Sequence, residues 1–523
     1  MSSAVGPGLA PLEARWLGRV RFGDAHALQR GLFRQATRPY LLLLEHHPVY
    51  TVGLRGALDH VLVPPQDLGA EIVVTDRGGD VTWHGPGQLV GYPILSVPDG
   101  PGATPAYVRS VEQIVIDVCA QLGLPGLGRI DGAPGVWVDA DGLRPRKICA
   151  IGIRRSRGRT MHGFALNVDP DLSWFAPIVP CGILDKEVTS LAAEGVRADM
   201  GDVVDAIVAA AADRWGGGHA RRVDVSWERS QEPTGLPVAT RKPEWLRVKA
   251  DLGPAYRGVK ATMRSLDLVT VCEEAGCPNI FECWRDGTAT FMINGDRCTR
   301  ACGFCQVDTR RPSGPADPAE PGRVAEAVAS MGLSHAVITA VARDDLPDGG
   351  AAGFAETVRA VRTRGPGTTI ELLVPDCKGD PDALATVFDA RPDVLNHNLE
   401  TVARLQRRVR PSASYARSLA VLARAAAAGL VTKSGLILGM GETEDEVLAA
   451  MADLRSVGVA ILTLGQYLRP SAQHLPVVRW WAPAEFDRLA AAGRALGFAH
   501  VEASPLTRSS YHARQAVGAA TSS

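Results

Sequence analysis

The eight residues Cys298-Thr-Arg-Ala-Cys302-Gly-Phe-Cys305 place three thiols on one short stretch, in the spacing C-x3-C-x2-C. Thiolates this close along the backbone converge on one metal centre. Structural zinc takes four ligands and closes its coordination shell, whereas a cubane 4Fe–4S cluster held by three cysteines leaves one iron open. The stretch therefore predicts an iron–sulfur cluster with an open iron, and a zinc site that borrows a remote fourth ligand is the alternative.

An aromatic residue, Phe304, precedes the third cysteine. With that position filled, the stretch resembles the signature of the radical S-adenosylmethionine superfamily. The resemblance implies that the open iron binds the amino and carboxylate groups of S-adenosylmethionine and delivers the electron that cleaves it.

Three more cysteines lie just upstream, at Cys272, Cys277 and Cys283, in the spacing C-x4-C-x5-C. Three plus three cysteines favour two separate clusters over one four-ligand site with two spare thiols. Pairings of these thiols into a zinc site stay open on spacing alone. Six of the ten cysteines fall between Cys272 and Cys305, and this crowding indicates metal and a reducing compartment.

The bulk composition is that of an ordinary globular protein, with 46% hydrophobic and 22% charged residues. A chain of 523 residues is too long for one ordinary core and predicts two or three domains. The net charge of −1 gives no polyelectrolyte attraction to nucleic acid. No apolar run reaches the roughly 18 residues of a membrane helix, and the first residues have no signal or transit pattern. We expect a cytoplasmic protein with no nucleic-acid or membrane partner.

Strand-like and helix-like segments alternate downstream of the cysteines, which predicts a parallel sheet with crossover helices. Six strands, where eight would close a barrel, suggest the partial (β/α)6 barrel of radical S-adenosylmethionine enzymes. Chemistry in such barrels gathers at the C-terminal strand ends, and the cluster motif follows the first strand. The predicted strands span 289–295, 335–342, 368–376, 393–400, 432–441 and 461–468, and the predicted helices 321–333, 349–365, 416–430, 443–459 and 483–498.

The first half has a different pattern. An apolar run from Pro39 ends in His-His-Pro, as a buried strand entering a loop does. A Gly-rich segment follows at 77–88, where glycines permit close backbone approach to a ligand. Cys181 lies between a proline and a glycine, in a tight turn that can expose its thiol. The other predicted elements are a helix over 104–123, a hairpin of strands over 147–154 and 161–168, and a helix over 200–215.

In order, the segments LLLLEHHPVYTVG, RGGDVTWHGPGQ, GVWV, RKICAIGIR, MHGFALNV and PCGI resemble the octanoyl-acyl-carrier-protein:protein octanoyltransferases over most of residues 15–215. The resemblance implies a mixed sheet flanked by helices, as in biotinyl and lipoyl protein ligases. It also implies transfer of octanoyl from acyl carrier protein to a lysine of lipoate-dependent proteins. Because this transfer passes through thioester exchange, it needs no ATP. In this family pattern Cys181 is the acyl-accepting nucleophile and Lys147 its charge partner and general base.

Cys149 lies two residues from Lys147, which puts both on one face of a regular strand. It is therefore the alternative nucleophile, and a buried, inert thiol is the other reading. The acyl site implied by the resemblance comprises Arg77, Gly78, Gly79, Asp80, Val81, Thr82, Trp83 and His84, with Ala150, Ile151 and Gly152 and with Gly163, Phe164 and Ala165.

Basic residues crowd the predicted hairpin, with no acidic residue from 144 to 159. One reading is a solvated hairpin. The other is a docking patch, because acyl carrier proteins and lipoyl domains are typically acidic. The residues are Arg144, Arg146, Lys147, Arg154, Arg155, Arg157 and Arg159.

Residues 240–515 resemble lipoyl synthase through the C-x4-C-x5-C triad and the segments RDDLPDGG, KSGLILGMGE, GQYLRP and RSSYHA. The resemblance implies that Cys298, Cys302 and Cys305 hold the cluster that cleaves S-adenosylmethionine, giving a radical that attacks C6 and C8 of a protein-bound octanoyl chain. The auxiliary 4Fe–4S cluster, the sulfur donor, is then held by Cys272, Cys277, Cys283 and Ser510. Ser509 is the second choice for the serine ligand, and the strand 435–442 is a candidate for positioning the nucleoside.

Together the two resemblances indicate a natural fusion of an acyltransferase and a sulfurtransferase of lipoyl cofactor assembly. We expect an octanoyltransferase domain at 1–227, a linker at 228–243 and a lipoyl synthase domain at 244–523, with two 4Fe–4S clusters and S-adenosylmethionine as cofactors. The expected partners are octanoyl-acyl carrier protein, lipoyl domains of 2-oxoacid dehydrogenase complexes, the glycine cleavage H protein, and an electron donor such as ferredoxin or flavodoxin. Two alternatives for the first half are an ATP-dependent lipoate ligase, which would need no thiol, and a docking module without activity.

Overall fold

A computed structural model describes residues 10–64, 67, 69–179, 187–225, 241–247, 253–270, 273, 277, 279–285, 289–513, 515–516 and 518. The chain divides into two compact units, Met1–Val225 and Ser226–Ser523. Most of the predicted linker at 228–243 lies outside the described residues, as do Cys181 and Cys272. No helix in the described part of the chain is long and apolar enough to cross a membrane.

The first unit is built on a mixed sheet in the order β12-β1-β2-β6-β10-β9-β8-β7, with β11 pairing to β9. A smaller sheet has the order β4-β3-β5. The strands are β1 (Leu12–Val20), β2 (Tyr40–His46), β3 (Val49–Val52), β4 (Glu71–Val74), β5 (Val81–His84), β6 (Gln88–Ile94), β7 (Gly128–Ile130), β8 (Ala133–Val138), β9 (Arg146–Ser156), β10 (Arg159–Asn167), β11 (Glu187–Val188) and β12 (Ala220–Asp224).

Helices flank the larger sheet, as predicted for this half. Ala103–Gln121 and Met200–Trp215 bury their apolar faces against one side of the sheet, in a core that includes Val111, Ile207 and Leu166. A third helix, Phe22–Gln35, contacts β10 and β6. The predicted hairpin occurs as β9 and β10, paired antiparallel from Ser156 and Arg159 onward. Each fully buried apolar side chain in such a core contributes about 1.5–3 kcal/mol.

The second unit contains a sheet whose strands follow chain order from β13 to β20. All neighbours from β14 to β20 are parallel, and β13 pairs antiparallel with β14 at one edge. The strands are β13 (Val269–Thr270), β14 (Thr290–Ile293), β15 (His335–Ala340), β16 (Thr369–Leu373), β17 (Val394–Asn396), β18 (Val431–Leu438), β19 (Ile461–Gln466) and β20 (His500–Ala503).

All six predicted strands are present, and the sequence interpretation missed the short edge strands β13 and β20. It also missed the helix Pro381–Asp389, which starts with Pro381 after the N-cap Asp380, whose carboxylate accepts two backbone N–H groups. The helices of this unit are Pro254–Ser265, Ile280–Arg285, Glu320–Ser330, Ala351–Arg364, Pro381–Asp389, Gln406–Val409, Tyr415–Ala427, Glu444–Ser456 and Pro483–Leu496.

The parallel sheet separates an apolar outer face from a polar inner face. Ile338, Ile370 and Leu372 pack with the surrounding helices in one core cluster. Glu371, between two of them in sequence, lies on the opposite face because side chains alternate along a strand. The prediction of a parallel sheet with crossover helices is confirmed.

Candidate functional sites

A groove in the first unit is lined by the Gly-rich loop, the hairpin β9–β10 and β6, and its cavity volume is about 50 Å³. All but three of the predicted acyl-site residues line it. The predicted residues on its surface are Arg77, Gly79, Asp80, Thr82, His84, Ala150, Ile151, Gly152, Gly163, Phe164 and Ala165.

The three exceptions are Gly78, Val81 and Trp83. Thr82 and His84 face the groove, whereas Val81 and Trp83 belong to a small core on the other side of β5. Gly78 instead donates its N–H to the Ile153 carbonyl at 2.9 Å. Side chains alternate along β5, so only part of the segment 77–84 lines the groove, although the sequence motif predicted that all of it would.

Glycines in the hairpin permit close packing around the groove. A Cβ added at Gly163 would lie 2.1 Å from the Gly91 carbonyl oxygen, and one added at Gly152 would lie 2.7 Å from the Gly78 oxygen. Both neighbours are backbone atoms that cannot rotate away. Glycine at these two positions lets the loop and β6 approach the hairpin.

His84 is buried, and each of its ring nitrogens has a hydrogen-bond partner. Its Nε2 lies 3.2 Å from Thr51 Oγ1 and its Nδ1 2.8 Å from Gln88 Oε1. Burial lowers the pKa of His84 well below its usual range, so the ring is neutral at pH 7. Gln88 in turn donates to Asn167 Oδ1 at 2.9 Å, which holds this end of the groove in one arrangement.

Arg77 holds the Gly-rich loop rather than reaching freely into the groove. Its guanidinium donates to the carbonyls of Thr51 and Asp80, at 2.6 Å each, and to Thr51 Oγ1. Asp80 Oδ2 lies 2.6 Å from His60 Nδ1. The loop is thereby fixed from both ends.

Three further residues of the groove were missed by the sequence interpretation. Phe22, Tyr92 and His162 line it. His162 Nε2 lies 2.6 Å from Asp76 Oδ1, and the His26 ring stacks on the His162 ring at 5.5 Å. Asp76 and His162 directly precede Arg77 and Gly163 in sequence, so adjacency to the predicted segments was the signal available.

A β-bulge separates Lys147 from Cys149. Cys149 is paired with Val136 and Lys147 with Trp137, so Ile148 is an extra residue on β9. Ile148 and Cys149 belong to one buried core, which does not include Lys147 or Trp137. The expectation that Lys147 and Cys149 share a strand face is therefore wrong, because the bulge shifts the alternation by one residue.

Cys149 has the properties of an inert thiol. It is fully buried, and burial raises the pKa of its thiol well above the usual range. Lys147, 7% exposed, places its Nζ 4.6 Å from the centre of the Trp137 ring. Cys181 lies outside the described residues, so its distance from Lys147 stays a prediction.

The arginines of the hairpin are largely paired with carboxylates of the same unit. These ion pairs lower the net positive charge that the hairpin offers to an acidic partner. They therefore favour the interpretation that the hairpin is solvated rather than a docking patch. The pairs are Arg144–Glu187, Arg146–Glu194, Arg154–Asp76 and Arg155–Asp99.

In the second unit, the loop with Cys298, Cys302 and Cys305 follows β14 at the C-terminal ends of the parallel strands. All three thiols are partly exposed and carry no disulfide. Within the described residues, their sulfurs do not all lie within 4.8 Å of one another. Three thiolates on one zinc ion would lie about 3.8 Å apart at Zn–S distances of about 2.3 Å. The three side chains are therefore not arranged around a single ion, and the cluster stays a prediction.

Burial raises the pKa of the Cys302 thiol and raises that of Cys305 to about 12. Such thiols keep their protons until a metal displaces them. The three cysteines therefore fit a thiolate-ligated iron centre whose binding releases the thiol protons.

Arg300 anchors this loop to two strand ends. Its guanidinium donates to both carboxylate oxygens of Asp344, at 2.7 and 2.8 Å, and to Asp376 at 2.5 Å. Burial by itself would raise the pKa of Asp376, but Arg300 and Arg417 outweigh it and lower this pKa to about 2. Arg300 thereby joins the loop to the segments that follow β15 and β16.

Beside the loop, the segment after β17 carries buried polar atoms that the described residues do not satisfy. They are the amide oxygen of Asn398, Oε2 of Glu400, the hydroxyl of Thr401 and both amide atoms of Gln406. The Glu400 carboxylate is close enough to raise the pKa values of Cys302 and Cys305. Because buried polar atoms are normally paired, this segment fits a polar ligand beside the cluster loop, and the sequence interpretation missed it.

The segment 277–285 contacts the C-terminal turn that carries Ser510. Asn279 Nδ2 donates to the Leu506 carbonyl at 2.7 Å, and the Tyr511 hydroxyl donates to Glu282 at 3.3 Å. These contacts bring two segments together that lie 227 residues apart in sequence.

Both described cysteines of this triad lie in the segment that contacts this turn. The Cys283 N–H donates to the Asn279 carbonyl at 2.9 Å. Burial raises the pKa of Cys277, which the Arg508 guanidinium partly offsets. Cys272 lies outside the described residues, so three of the four predicted ligands, Cys277, Cys283 and Ser510, belong to these contacting segments.

The glycine-rich strand end 435–442 has a structural explanation. Glu442 accepts hydrogen bonds from the backbone N–H groups of Gly439 and Met440 and from the Trp481 indole. Gly439 has φ +117°, which other residues rarely adopt. The motif therefore stabilises its own turn, and its role in positioning the nucleoside stays a prediction.

Comparison with known families divides the chain in the same way. Residues 22–212 match the family of the lipoyl protein ligase A/B catalytic domain. Residues 292–454 match the radical SAM superfamily, and residues 224–277 match the N-terminal domain of lipoyl synthase of the radical SAM family.

Among curated proteins, lipoyl synthase of Mycobacterium avium is 59% identical over 273 residues, which are 52% of this chain and 89% of that protein. Lipoyl synthase of Rubrobacter xylanophilus is 58% identical over 276 residues, 52% of this chain and 86% of that protein. Among solved structures, a bipartite lipoate protein ligase of Thermoplasma acidophilum gives a TM-score of 0.35 at 15% identity, covering 42% of this chain and 89% of its own.

Proposed function

The chain belongs to the lipoyl synthase family through its second half, and from this premise we propose that it builds the lipoyl cofactor on proteins in two consecutive steps. The first half is a lipoate-ligase-like transferase, and the second half inserts sulfur. We propose an octanoyltransferase at 1–227, a linker at 228–243 and the synthase at 244–523. The observation that carries the proposal is the coexistence of the acyl groove and the cysteine loop in one chain.

For the first step we propose that Cys181 attacks the thioester of octanoyl-acyl carrier protein and takes the octanoyl group as a new thioester. The carrier thiol leaves and takes up a proton. The lysine amine of a lipoyl domain then attacks this thioester, forms the amide and releases the Cys181 thiol. Lys147 stabilises the thiolate and exchanges the protons. The groove, with its apolar Val90 and Phe164, supports the binding of an alkyl chain.

For the second step we propose that Cys298, Cys302 and Cys305 hold a 4Fe–4S cluster with S-adenosylmethionine at its open iron. When bound, these groups supply the radical that removes hydrogen from the octanoyl C6 and C8. The chain's own residues position them. Arg300 fixes the loop, and the unsatisfied atoms of Asn398 and Glu400 support a polar ligand beside it.

We further propose that Cys272, Cys277, Cys283 and Ser510 hold a second 4Fe–4S cluster that donates the sulfur. The contacts between the segment 277–285 and the turn 506–512 support this ligand set. Ser509 is the neighbouring alternative. Two oxygen-sensitive clusters require a reducing compartment, which supports a cytoplasmic location.

The proposed partners are octanoyl-acyl carrier protein, lipoyl domains of 2-oxoacid dehydrogenase complexes, the glycine cleavage H protein and a one-electron donor such as ferredoxin or flavodoxin. Both halves would act on lipoyl domains, because the first attaches the octanoyl group to them and the second modifies it there. The other partners follow from the chemistry, because the transferase needs an activated octanoyl group and the cluster needs an electron.

The test is anaerobic reconstitution of the full chain, with iron counting and an assay containing octanoyl-acyl carrier protein, S-adenosylmethionine and an apo lipoyl domain. We expect iron for two clusters and a lipoylated product without added ATP. Rapid quenching and mass spectrometry should trap an octanoyl thioester on Cys181. A requirement for ATP would replace the transferase with a ligase, and octanoyl transfer by Cys181→Ser would exclude the thioester route.

A further inference from the structure

Four polar side chains of the first unit, all buried, form one continuous series of hydrogen bonds. Thr51 Oγ1 lies 3.2 Å from His84 Nε2, and His84 Nδ1 lies 2.8 Å from Gln88 Oε1. Gln88 Nε2 donates to Asn167 Oδ1 at 2.9 Å. None of the four is more than 7% exposed. We call these four residues, Thr51, His84, Gln88 and Asn167, the buried network.

The buried network joins the Gly-rich loop to the strand that carries Lys147. At one end the Arg77 guanidinium donates to Thr51 Oγ1 at 2.9 Å. At the other end Asn167 Nδ2 donates to the Thr189 carbonyl at 2.8 Å, and the Thr189 N–H donates to the Lys147 carbonyl at 3.0 Å. A single path of hydrogen bonds therefore connects two parts of the proposed acyl-transfer site.

The two ends of the buried network fix the order of its donors and acceptors. The Thr189 carbonyl can only accept, so the Asn167 amide turns its nitrogen to Thr189 and its oxygen to Gln88. Gln88 must then donate to that oxygen through its amide nitrogen. Its own oxygen therefore accepts from the Nδ1–H group of His84.

Arg77 fixes the same order from the other end. A guanidinium can only donate, so Thr51 Oγ1 accepts from Arg77 and its O–H donates to His84 Nε2. Both ends therefore place the single ring proton of His84 on Nδ1. This agrees with the burial of the ring, which lowers the pKa of His84 well below its usual range. Held in this way, the neutral ring has no proton or lone pair left for a substrate.

The buried network lies where it can hold Lys147 in position. Thr189 directly follows β11, which pairs with the part of β9 that contains Lys147. Lys147 is 7% exposed, and its Nζ lies 4.6 Å from the centre of the Trp137 ring. A cation lowers the pKa of a neighbouring thiol by an amount that depends on the distance between them. A displaced Lys147 would therefore stabilise the Cys181 thiolate less.

We propose that Gln88 and Asn167 are positioning residues for octanoyl transfer, because they fix the backbone at Lys147 relative to the Gly-rich loop that lines the groove. His84 takes part as a neutral link in the buried network and neither gives nor takes a proton. The proposal rests on the proposed function, in which Lys147 stabilises the Cys181 thiolate. The buried network itself makes and breaks no covalent bond.

Asn167→Asp tests the buried network by removing one donor. The carboxylate keeps the size of the amide, but it cannot donate to the Thr189 carbonyl and turns a second acceptor towards it. Burial and the carbonyl both raise the pKa of this carboxyl group. Once it is protonated, its O–H donates to Thr189 again, so the effect of the substitution should shrink as the pH falls. Gln88→Met should show no such recovery, because a thioether cannot donate at any pH.

The experiment uses the reconstituted full chain. Rapid quenching and mass spectrometry give the rate at which octanoyl-acyl carrier protein acylates Cys181 in the first turnover. Separately, the rate of Cys181 alkylation by iodoacetamide, followed on its peptide from about pH 5 to about pH 9, gives the pKa of the thiol without any acyl transfer. Gln113→Glu, an amide-to-carboxylate change on the helix Ala103–Gln121, is the control.

For Asn167→Asp and Gln88→Met we expect acylation at about pH 8 to be about tenfold slower. The pKa of the Cys181 thiol should rise by about one unit in both variants. As the pH falls to about 6, the rate of Asn167→Asp relative to the unmodified chain should rise, whereas that of Gln88→Met should stay low. Gln113→Glu should behave as the unmodified chain does.

An unchanged thiol pKa in both variants overturns the proposal, because the position of Lys147 would then not depend on the buried network. A deficit of Asn167→Asp that is as large at about pH 6 as at about pH 8 also overturns it. If circular dichroism shows Asn167→Asp to be unfolded, the thiol pKa in Gln88→Met decides alone. If the unmodified chain forms no octanoyl thioester on Cys181, the proposed function fails instead. The alkylation measurement still tests the buried network in that case, so the two failures are distinguishable.

Discussion

A buried ion pair inside the parallel sheet of the second unit gives a prediction about stability. Lys433 Nζ lies 3.0 Å from Glu371 Oε2, and the side chains are 0% and 1% exposed. Asn396 Nδ2 donates to the other carboxylate oxygen at 2.8 Å. We expect Lys433→Met to destabilise this unit strongly, because the Glu371 charge would remain buried without its cation.

The expected loss in the free energy of unfolding is about 3–5 kcal/mol, the range for breaking one partner of a buried pair. The double variant Glu371→Gln/Lys433→Met should recover most of it, since the amide removes the buried charge and keeps the hydrogen bond with Asn396. Arg364→Met is the control. Arg364 and Glu326 approach to 2.7 Å but are 50% and 48% exposed, so its loss should stay below about 1 kcal/mol.

Equilibrium urea unfolding under anaerobic conditions measures the free energy of unfolding of the unmodified chain and of the three variants. The transition of the second unit must be resolved from that of the first, because the two compact units can unfold separately. If Lys433→Met loses no more stability than Arg364→Met, the reasoning is refuted. A double variant no more stable than Lys433→Met would show that packing, not charge, sets the loss.

Three further predictions concern the first unit. Cys149→Ala should keep most octanoyl transfer, whereas Cys181→Ser should abolish it. Loss of transfer in a Cys149→Ala variant that circular dichroism shows to be folded would contradict the assignment of Cys181 as the nucleophile. Gly163→Ala should lower octanoyl transfer at least tenfold and leave S-adenosylmethionine cleavage unchanged, because its Cβ would lie 2.1 Å from the Gly91 oxygen and cost about 1–3 kcal/mol. Burial lowers the pKa of His46 to about 4 from 6.5, so protons bind the unfolded chain first. Protonation of His46 alone should cost the first unit up to about 3 kcal/mol as pH falls from about 6.5 to 4, and a flat urea midpoint over that range would count against this.

Much of the fold was predictable because its signals are local. The alternation of apolar strands with helices predicted the parallel sheet, and all six predicted strands are present. The edge strand β13 was missed because two residues are too few to show a period. The edge strand β20 was also missed, although β14 and β17 are no longer than its four residues. The residues of the Gly-rich segment 77–84 line one groove with the hairpin, apart from Gly78, Val81 and Trp83, and the binding of an acyl chain there stays a prediction.

The sequence by itself determined the chemistry, because cysteine spacing, glycine positions and residue type act over a few residues. Only the tertiary structure decided how distant or shifted residues meet. The bulge at Ile148 places Lys147 and Cys149 on different faces. Asp76 meets His162 across 86 residues, and two distant segments of the second unit meet at Asn279 and Leu506. A register shift and a long-range contact depend on the packing of whole strands, which no local pattern specifies.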